Sequence, residues 1–176
     1  MKLNFTFFSL MLLAFTTTNL FAQDKEAKSY KKVRIGLGLE AGLPMGAMDY
    51  YKYAGGATLR VAVALNEKSA VTATSGAIAF IPEPIPNVDM KASINIPIKA
   101  GYKYMLTDRI YGLGEAGTTI SKTYAVAPNG QMISASGSSF TYAAGIGAHA
   151  LRLDTSLRYE GYSNGGFLGL RVGFNF

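Results

Sequence analysis

The chain has 176 residues, no cysteine, one histidine and a formal net charge of +6. This length fits one domain, and the lack of cysteine excludes a disulfide framework or a thiolate metal site. No run of lysine or arginine exceeds two residues, whereas nucleic-acid binding needs a clustered basic face, so we expect no nucleic-acid partner. With a single histidine we also expect no metal site and no other cofactor.

Residues 1–22 have the pattern of a secretory signal peptide. Lys2 supplies the positive start, the segment 5–15 is mostly apolar, and Ala22 suits the last position before cleavage. The apolar core is short for a spanning helix, which needs ~20 residues. The sequence therefore predicts an exported protein, and the polar residues 23–31 are expected to form a short lead-in to the mature domain.

The rest of the chain contains short segments in which apolar residues occupy every second position, which is the period of a β-strand. The first runs from Val33 to Leu43 and ends at Pro44, which cannot donate to a ladder. Small residues leave the facing of the third strand open, and Pro97 in the fourth requires a bulge or a widely spaced pair. The predicted strands are 33–43, 56–65, 69–81, 93–104, 110–121, 140–149, 153–160 and 166–176.

The last predicted strand has the strictest alternation. From Leu168 to Phe176 every second residue is large and apolar, and the run ends on the terminal residue. Alternation of this kind places Arg171 on the opposite face of the strand. Because a closed barrel pairs its last strand with its first, we predict that this segment closes a barrel.

The connections between the predicted strands alternate in length. Longer loops are expected at 44–53, 82–90 and 122–138, and tight turns at 66–68, 106–109 and 151–152. Eight strands of about ten residues with this alternation are typical of an outer-membrane barrel whose tight turns face the periplasm. We predict an all-β fold, an eight-stranded antiparallel up-and-down transmembrane β-barrel at 32–176, after a signal peptide at 1–22 and a periplasmic lead-in at 23–31.

The residues on the second face of the predicted strands have small side chains, and few of them are charged. A soluble barrel around an apolar pocket would carry more lysine and glutamate outside, whereas a narrow membrane barrel suits small residues and a few charges in its lumen. Unpaired buried charges are costly, so we expect pairs across strands, with Arg171 beside Glu40 or Glu160. The predicted lumen charge network is Arg34, Glu40, Arg60, Lys99, Glu115, Arg158, Glu160 and Arg171.

Three segments carry a resemblance to a known family: LGLEAGLPMG at 37–46, LRYEGYS at 157–163 and LRVGFNF at 170–176. Together they resemble the small outer-membrane β-barrels, the eight-stranded OmpA/OmpX-type barrel domain, in a Bacteroidetes-like form. The resemblance implies residence in the cell outer membrane, contact with outer-membrane lipid, and recognition of the last strand by the barrel assembly machinery. The assembly signal implied by the match is Leu170, Val172, Phe174 and Phe176.

His149 is the candidate for catalysis, because some barrels of this type modify lipids with a histidine beside a serine or an acid. Ser156 and Asp154 are its possible neighbours on the next strand. A nucleophile and its base must be within hydrogen-bond reach and open to substrate, whereas His149 is expected to face a narrow lumen. The sequence therefore favours a protein that is not an enzyme.

The predicted function is a structural or surface-interaction role with a lumen plugged by charged pairs. The alternative is a narrow porin-like channel, in which the pairs rearrange to admit small solutes or ions, and a lipid-modifying barrel enzyme is less favoured. Loops on a rigid scaffold often carry binding, so an extracellular ligand of the longer loops is a possible partner.

Overall fold

The computed structural model describes residues 33–83, 91–126, 132–163 and 165–176. The predicted signal peptide at 1–22 and the lead-in at 23–31 lie outside the described residues. Most of the predicted loop at 82–90 also lies outside them, so these three predictions are not tested by the fold.

Eight antiparallel strands close into a barrel in which each strand pairs with its neighbours in sequence and β8 pairs with β1. This confirms the predicted up-and-down fold. The strands are β1 Val33–Met45, β2 Tyr51–Ala64, β3 Ser69–Pro82, β4 Ser93–Met105, β5 Ile110–Val126, β6 Met132–Ala150, β7 Leu153–Tyr162 and β8 Gly165–Asn175. A short 3-10 helix at Gly46–Met48 follows β1.

The seam between β1 and β8 closes the barrel. Its register runs from Gly36 opposite Asn175 to Met45 opposite Gly166. Beyond the last pair, the backbone N–H of Phe176 donates to the carbonyl of Ile35 at 2.8 Å. The terminal strand is thus bonded along its full length, because closure leaves no free edge for it.

In this barrel the polar residues lie inside and the apolar residues lie outside, which is the reverse of a soluble barrel. Along β1 the buried positions are Gly36, Gly38, Glu40 and Gly42, while the aliphatic residues between them are exposed. The same alternation settles the facing of β3, which the sequence left open, because its threonines lie inside. The exposed apolar outside and the charged inside are the arrangement of a transmembrane barrel.

One end of the barrel carries the turns at 65–68, 106–109 and 151–152, and we call it the turn end; the other is the loop end. Two of these turns are held by side chains, Asn66 in the first and Thr107 in the second. Asn66 Oδ1 accepts the backbone N–H groups of Lys68 and Ser69, each at 2.9 Å. Leu151 has a φ of +54°, the left-handed backbone that two-residue hairpins require.

The predicted loop at 122–138 is largely wrong. β5 continues to Val126 and β6 begins at Met132, and the two segments pair in unbroken register. The pairing of β5 with β4 ends at Lys122, so the hairpin projects beyond its neighbours. Its residues lack an apolar alternation because neither face is buried there, and backbone hydrogen bonds hold the ladder.

The interruption expected at Pro97 occurs in the pairing of β4 with β3, which runs to Ser75 opposite Ile98 and resumes at Ile78 opposite Asn95. The register of β4 against β5 passes through Pro97 opposite Thr119 without a shift, and the proline ring is buried inside the barrel. A register shift lies in β2, between Tyr51 and Tyr53, close to the loop end. This bulge turns Tyr51 inward, out of the parity of the rest of its strand.

Candidate functional site

The lumen holds a dense cluster of buried charges. Five cations and four carboxylates are no more than 9% exposed. Seven of the eight predicted network residues belong to this set, and Arg34 lies on the same face, half-buried. The buried charges are Glu40, Arg60, Lys99, Lys103, Glu115, Asp154, Arg158, Glu160 and Arg171.

Arg158 on β7 lies at the centre of the first group of ion pairs. Its Nη2 contacts Glu40 Oε2 at 2.5 Å and Glu160 Oε2 at 3.2 Å. Glu160 also bonds Lys99, whose Nζ lies 3.8 Å from Glu115 Oε2. Because these residues come from β1, β4, β5 and β7, the group joins opposite walls of the barrel.

Asp154 on β7 is the centre of a second group, nearer the turn end. Its carboxylate accepts hydrogen bonds from Tyr111 at 2.8 Å, Lys103 at 3.2 Å and Arg171 at 3.2 Å. Arg60 Nη1 lies 3.8 Å from the same group. The predicted network omits Asp154 and Lys103, although both share strand parity with the charges that it includes.

Arg171 lies beside Glu40, one of the two partners that the sequence predicts, because the two residues are opposite each other in the register of β1 and β8. Its Nη1 donates to Asp154, while its Nε lies 3.9 Å from Glu40. The Nε donates to Thr58 at 3.0 Å, and the Thr58 hydroxyl donates to Glu40 at 2.5 Å. A threonine therefore connects the predicted pair, and Arg171 joins the two ion-pair groups.

A second threonine fixes the other side of the lumen. The Thr74 hydroxyl donates to Glu115 at 2.6 Å and accepts from Arg60 Nε at 3.1 Å. Arg60 Nε also lies 3.4 Å from Glu115. Neutral hydroxyls thus add hydrogen bonds to the charged groups, which lowers the cost of burying them.

An apolar layer closes the loop end above the charges, and we call it the aromatic cap. The Phe80 ring lies 5.5 Å from the rings of Tyr51 and Phe167 and 6.2 Å from Tyr162. The Tyr162 hydroxyl donates to Glu160 at 2.8 Å, which connects the cap to the ion pairs. The buried members are Met48, Tyr51, Ala54, Ile78, Phe80 and Phe167, with Tyr162 packed against them.

The sequence did not predict this cap. A tyrosine near a strand end, such as Tyr162, would suit an aromatic girdle at the membrane interface, whereas the structure packs this ring against the cap. A signal was available for Phe80, Tyr162 and Phe167, because each shares strand parity with buried polar residues on its own strand. No such signal exists for Tyr51, since its orientation depends on the bulge.

The outside of the barrel is apolar between two groups of aromatic residues. Phe140, Tyr142 and Tyr159 lie towards the loop end, with the Tyr142 ring 6.4 Å from that of Tyr159. Tyr102 and Tyr104 lie towards the turn end, and both are exposed. Aromatic girdles of this kind mark the two interfaces of a membrane barrel.

The four residues of the implied assembly signal lie on the outer face of β8. Val172, Phe174 and Phe176 are exposed and Leu170 is half-buried. The rings of Phe174 and Phe176 contact each other at 5.3 Å. Their accessibility at the seam suits recognition from outside, and recognition by assembly machinery stays a prediction.

His149 lies on the inner face of β6, opposite Asp154 in the register. Its ring stacks on Tyr111 at 6.3 Å and is half-buried. Ser156 is also inside the barrel. The structure therefore brings the three residues to the inner wall near the turn end, away from the lipid-facing surface.

Within the described residues, no three side chains of His, Cys, Asp or Glu are grouped as a metal ion would require. In the same part of the chain, no helix has the length and apolar character needed to cross a membrane.

A closed antiparallel barrel of eight strands with ion pairs inside and apolar residues outside defines the class of small transmembrane barrels. The chain is similar to the crystal structure of Ail, the attachment invasion locus protein of Yersinia pestis, with a TM-score of 0.62 and 18% identity over 82% of this chain and 97% of Ail. It is similar to Neisserial surface protein A with a TM-score of 0.54 and 13% identity, over 85% and 100% of the respective chains.

A further structure shows Ail in complex with the heparin analogue sucrose octasulfate, with a TM-score of 0.61, 18% identity and the same coverage of 82% and 97%. No protein-family model matches the chain, and no curated protein matches it in sequence. At these identities the likeness concerns the fold, and it confirms the fold of the small eight-stranded outer-membrane β-barrels.

Proposed function

We propose that this chain is an outer-membrane protein that is closed to solutes and acts through contacts at its loop end. The observation that carries the proposal is the filling of the lumen in two layers. Ion pairs centred on Arg158 and Asp154 join opposite walls, and the aromatic cap lies above them. With such a lumen, the part of the protein left to make contacts is its outer rim.

The projecting β5–β6 hairpin supports a role in surface contact. Residues 133–138 are exposed on both faces, and β6 has no pairing with β7 before Thr141. The hairpin therefore offers main-chain donors and acceptors as well as side chains to a partner. Ail, a barrel of the same fold, carries attachment in its name and has been seen with a heparin analogue.

Electrical recording in planar bilayers tests the closed lumen. We expect no steady conductance from the purified protein, and none from Phe80→Ala, because the ion pairs below the cap remain in place. Large, long-lived openings of the unmodified protein would contradict the proposal and favour the narrow porin-like channel.

Shortening the hairpin tests the surface role. Thr123 and Ala135 are paired, so replacing 124–134 by Asn-Gly should leave a two-residue hairpin turn and an intact barrel. We expect unchanged heat-dependent gel migration and a loss of attachment of expressing cells to host-cell matrix. Attachment equal to that of the unmodified protein would contradict a role for the hairpin.

The proposal includes no enzymatic activity. His149→Ala should leave the composition of outer-membrane lipids unchanged, because the histidine lies inside the barrel near the turn end. Lipid extracts analysed by mass spectrometry check this expectation. A loss of lipid turnover in the variant would support the lipid-modifying alternative instead.

A further inference from the structure

A cavity of about 290 Å³ lies at the loop end, directly above the aromatic cap. Tyr51, Phe80 and Tyr162 contribute aromatic rings to its floor, and Ser93 and Asn95 lie on its β4 side. The projecting hairpin forms the opposite side. The hydroxyl groups that line the cavity include those of Tyr50, Ser93, Thr123, Ser139 and Ser163.

The chemistry of this lining is neutral and rich in hydroxyl groups. Serine, threonine and tyrosine hydroxyls each donate and accept hydrogen bonds, and Asn95 adds an amide. Among the described residues of the lining, none carries a formal charge. An anionic ligand would need cations here and a lipid tail would need an apolar lining, so the cavity fits neither.

Several polar groups are already positioned. The Ser93 hydroxyl donates to the carbonyl of Lys122 at 3.3 Å and lies 3.3 Å from the Thr123 hydroxyl. The Tyr50 ring lies 4.3 Å from that of Tyr51. The Tyr50 hydroxyl, like that of any tyrosine, is protonated at neutral pH and can donate a hydrogen bond. Such groups lose little freedom when a ligand binds.

We propose that this cavity binds an uncharged sugar, as a mono- or disaccharide unit with a pyranose ring. A pyranose has an apolar C–H face that packs on aromatic rings and equatorial hydroxyls that exchange hydrogen bonds with neutral partners. The floor of Tyr51, Phe80 and Tyr162 supplies the first surface and the serines of the walls supply the second. The volume lies near the lower limit of small-molecule sites, about 300 Å³, which suits a sugar of this size.

This site deepens the proposed function, because it rests on the loop end being the contact surface and names the ligand class. The test uses the full protein in lipid nanodiscs. Neutral methyl glycosides of glucose, galactose, mannose and N-acetylglucosamine are titrated in solution, and immobilised neutral, sialylated and sulfated glycans are compared at physiological salt. Binding of the free glycosides assigns recognition to the sugar itself; binding only of immobilised glycans assigns it to a sugar at the end of a longer chain.

A matched pair of variants locates the binding. Ser139 lines the cavity and is opposite the buried Thr119 of β5, so its side chain lies on the inner face of β6. Ile133 lies six residues away on the same face, outside the cavity, and is exposed. We expect Ser139→Trp to weaken binding of a neutral sugar at least tenfold and Ile133→Trp to leave it unchanged, and heat-dependent gel migration checks that both variants keep the barrel fold.

Three results would overturn the inference: no binding of any neutral sugar, preference for sulfated or sialylated glycans, or equal binding by Ser139→Trp and the unmodified protein. These results are separable from failure of the proposed function. If the protein does not conduct ions and its attachment depends on the hairpin, but no sugar binds, only the sugar site is rejected. Sugar binding by a protein that conducts ions would keep the site and reject the closed lumen.

Discussion

Arg158 shows how single residues hold the interior together. Its guanidinium bonds Glu40 and Glu160 from within the lumen, where it is 1% exposed. Two carboxylates therefore depend on one cation for much of their compensation. A buried ion pair adds little stability against an apolar substitute, but removing one partner leaves an uncompensated charge.

We expect Arg158→Met to destabilise the barrel by about 3 kcal/mol. Adding Glu40→Gln should recover part of this loss, because the double variant removes both members of one pair. Urea unfolding in lipid vesicles, followed by gel migration without heating, measures both. Arg34→Met is the control, since Arg34 is half-buried and takes part in none of the ion pairs described above; additive losses in the double variant would contradict direct coupling.

Leu151 is a residue whose backbone conformation suits glycine better. Its φ of +54° costs a side-chain-bearing residue about 1 kcal/mol, and the side chain is 74% exposed. Leu151→Gly should therefore stabilise the barrel in the same urea assay. Leu106, in another tight turn, does not share the positive φ, so Leu106→Gly should give no gain; a gain at both positions would contradict the strain argument.

At the scale of the strand, the period of the sequence decided most of what could be predicted. Alternation assigned Glu40, Arg60 and Arg171 to the inside because a strand has two faces and only one suited charge. It failed for Tyr51, where a bulge changes the parity. It also failed for the projecting part of β5 and β6, because a ladder with two exposed faces leaves no apolar pattern to detect.

The sequence predicts which charged residues face the lumen better than it predicts which of them pair with each other. Residues on one wall approach those on the opposite wall only after closure, and Asp154 meets Lys103 from β4 across the barrel. Sequence parity places both inside but does not reveal which charges meet, since the register and the tilt of the strands decide that. The aromatic cap has the same origin, because its rings come from β2, β3, β7 and β8.

The last strand carries a prediction about assembly in cells. We expect Phe176→Ala to lower the amount of folded protein in the outer membrane severalfold while leaving refolding into vesicles nearly unchanged, because the ring is 64% exposed and contacts chiefly Phe174. Phe140→Ala removes an equally exposed ring, 66%, from β6 and serves as control. If both variants lower the amount of folded protein in cells equally, the terminal residue has no special role in assembly.

For the whole molecule, the polarity of the two surfaces predicts the compartment. Large apolar side chains around the barrel are exposed, including Leu39 at 70%. Soluble proteins rarely expose so large a continuous apolar surface to water. We expect the protein in the outer-membrane fraction, migrating differently on gels before and after heating. Recovery from the soluble periplasm without a heat-dependent shift would contradict the membrane assignment.

The unequal heights of the strands have a consequence for how a ligand arrives. β6 begins at Met132 but its pairing with β7 begins only at Thr141, opposite Tyr162. The rim is therefore high along the β5–β6 hairpin and low along β7 and β8. A sugar attached to the membrane surface beside the low rim would reach the cavity by lateral diffusion without crossing the hairpin. Occupancy would then depend on the density of sugars on the cell's own surface as well as on their concentration in the medium.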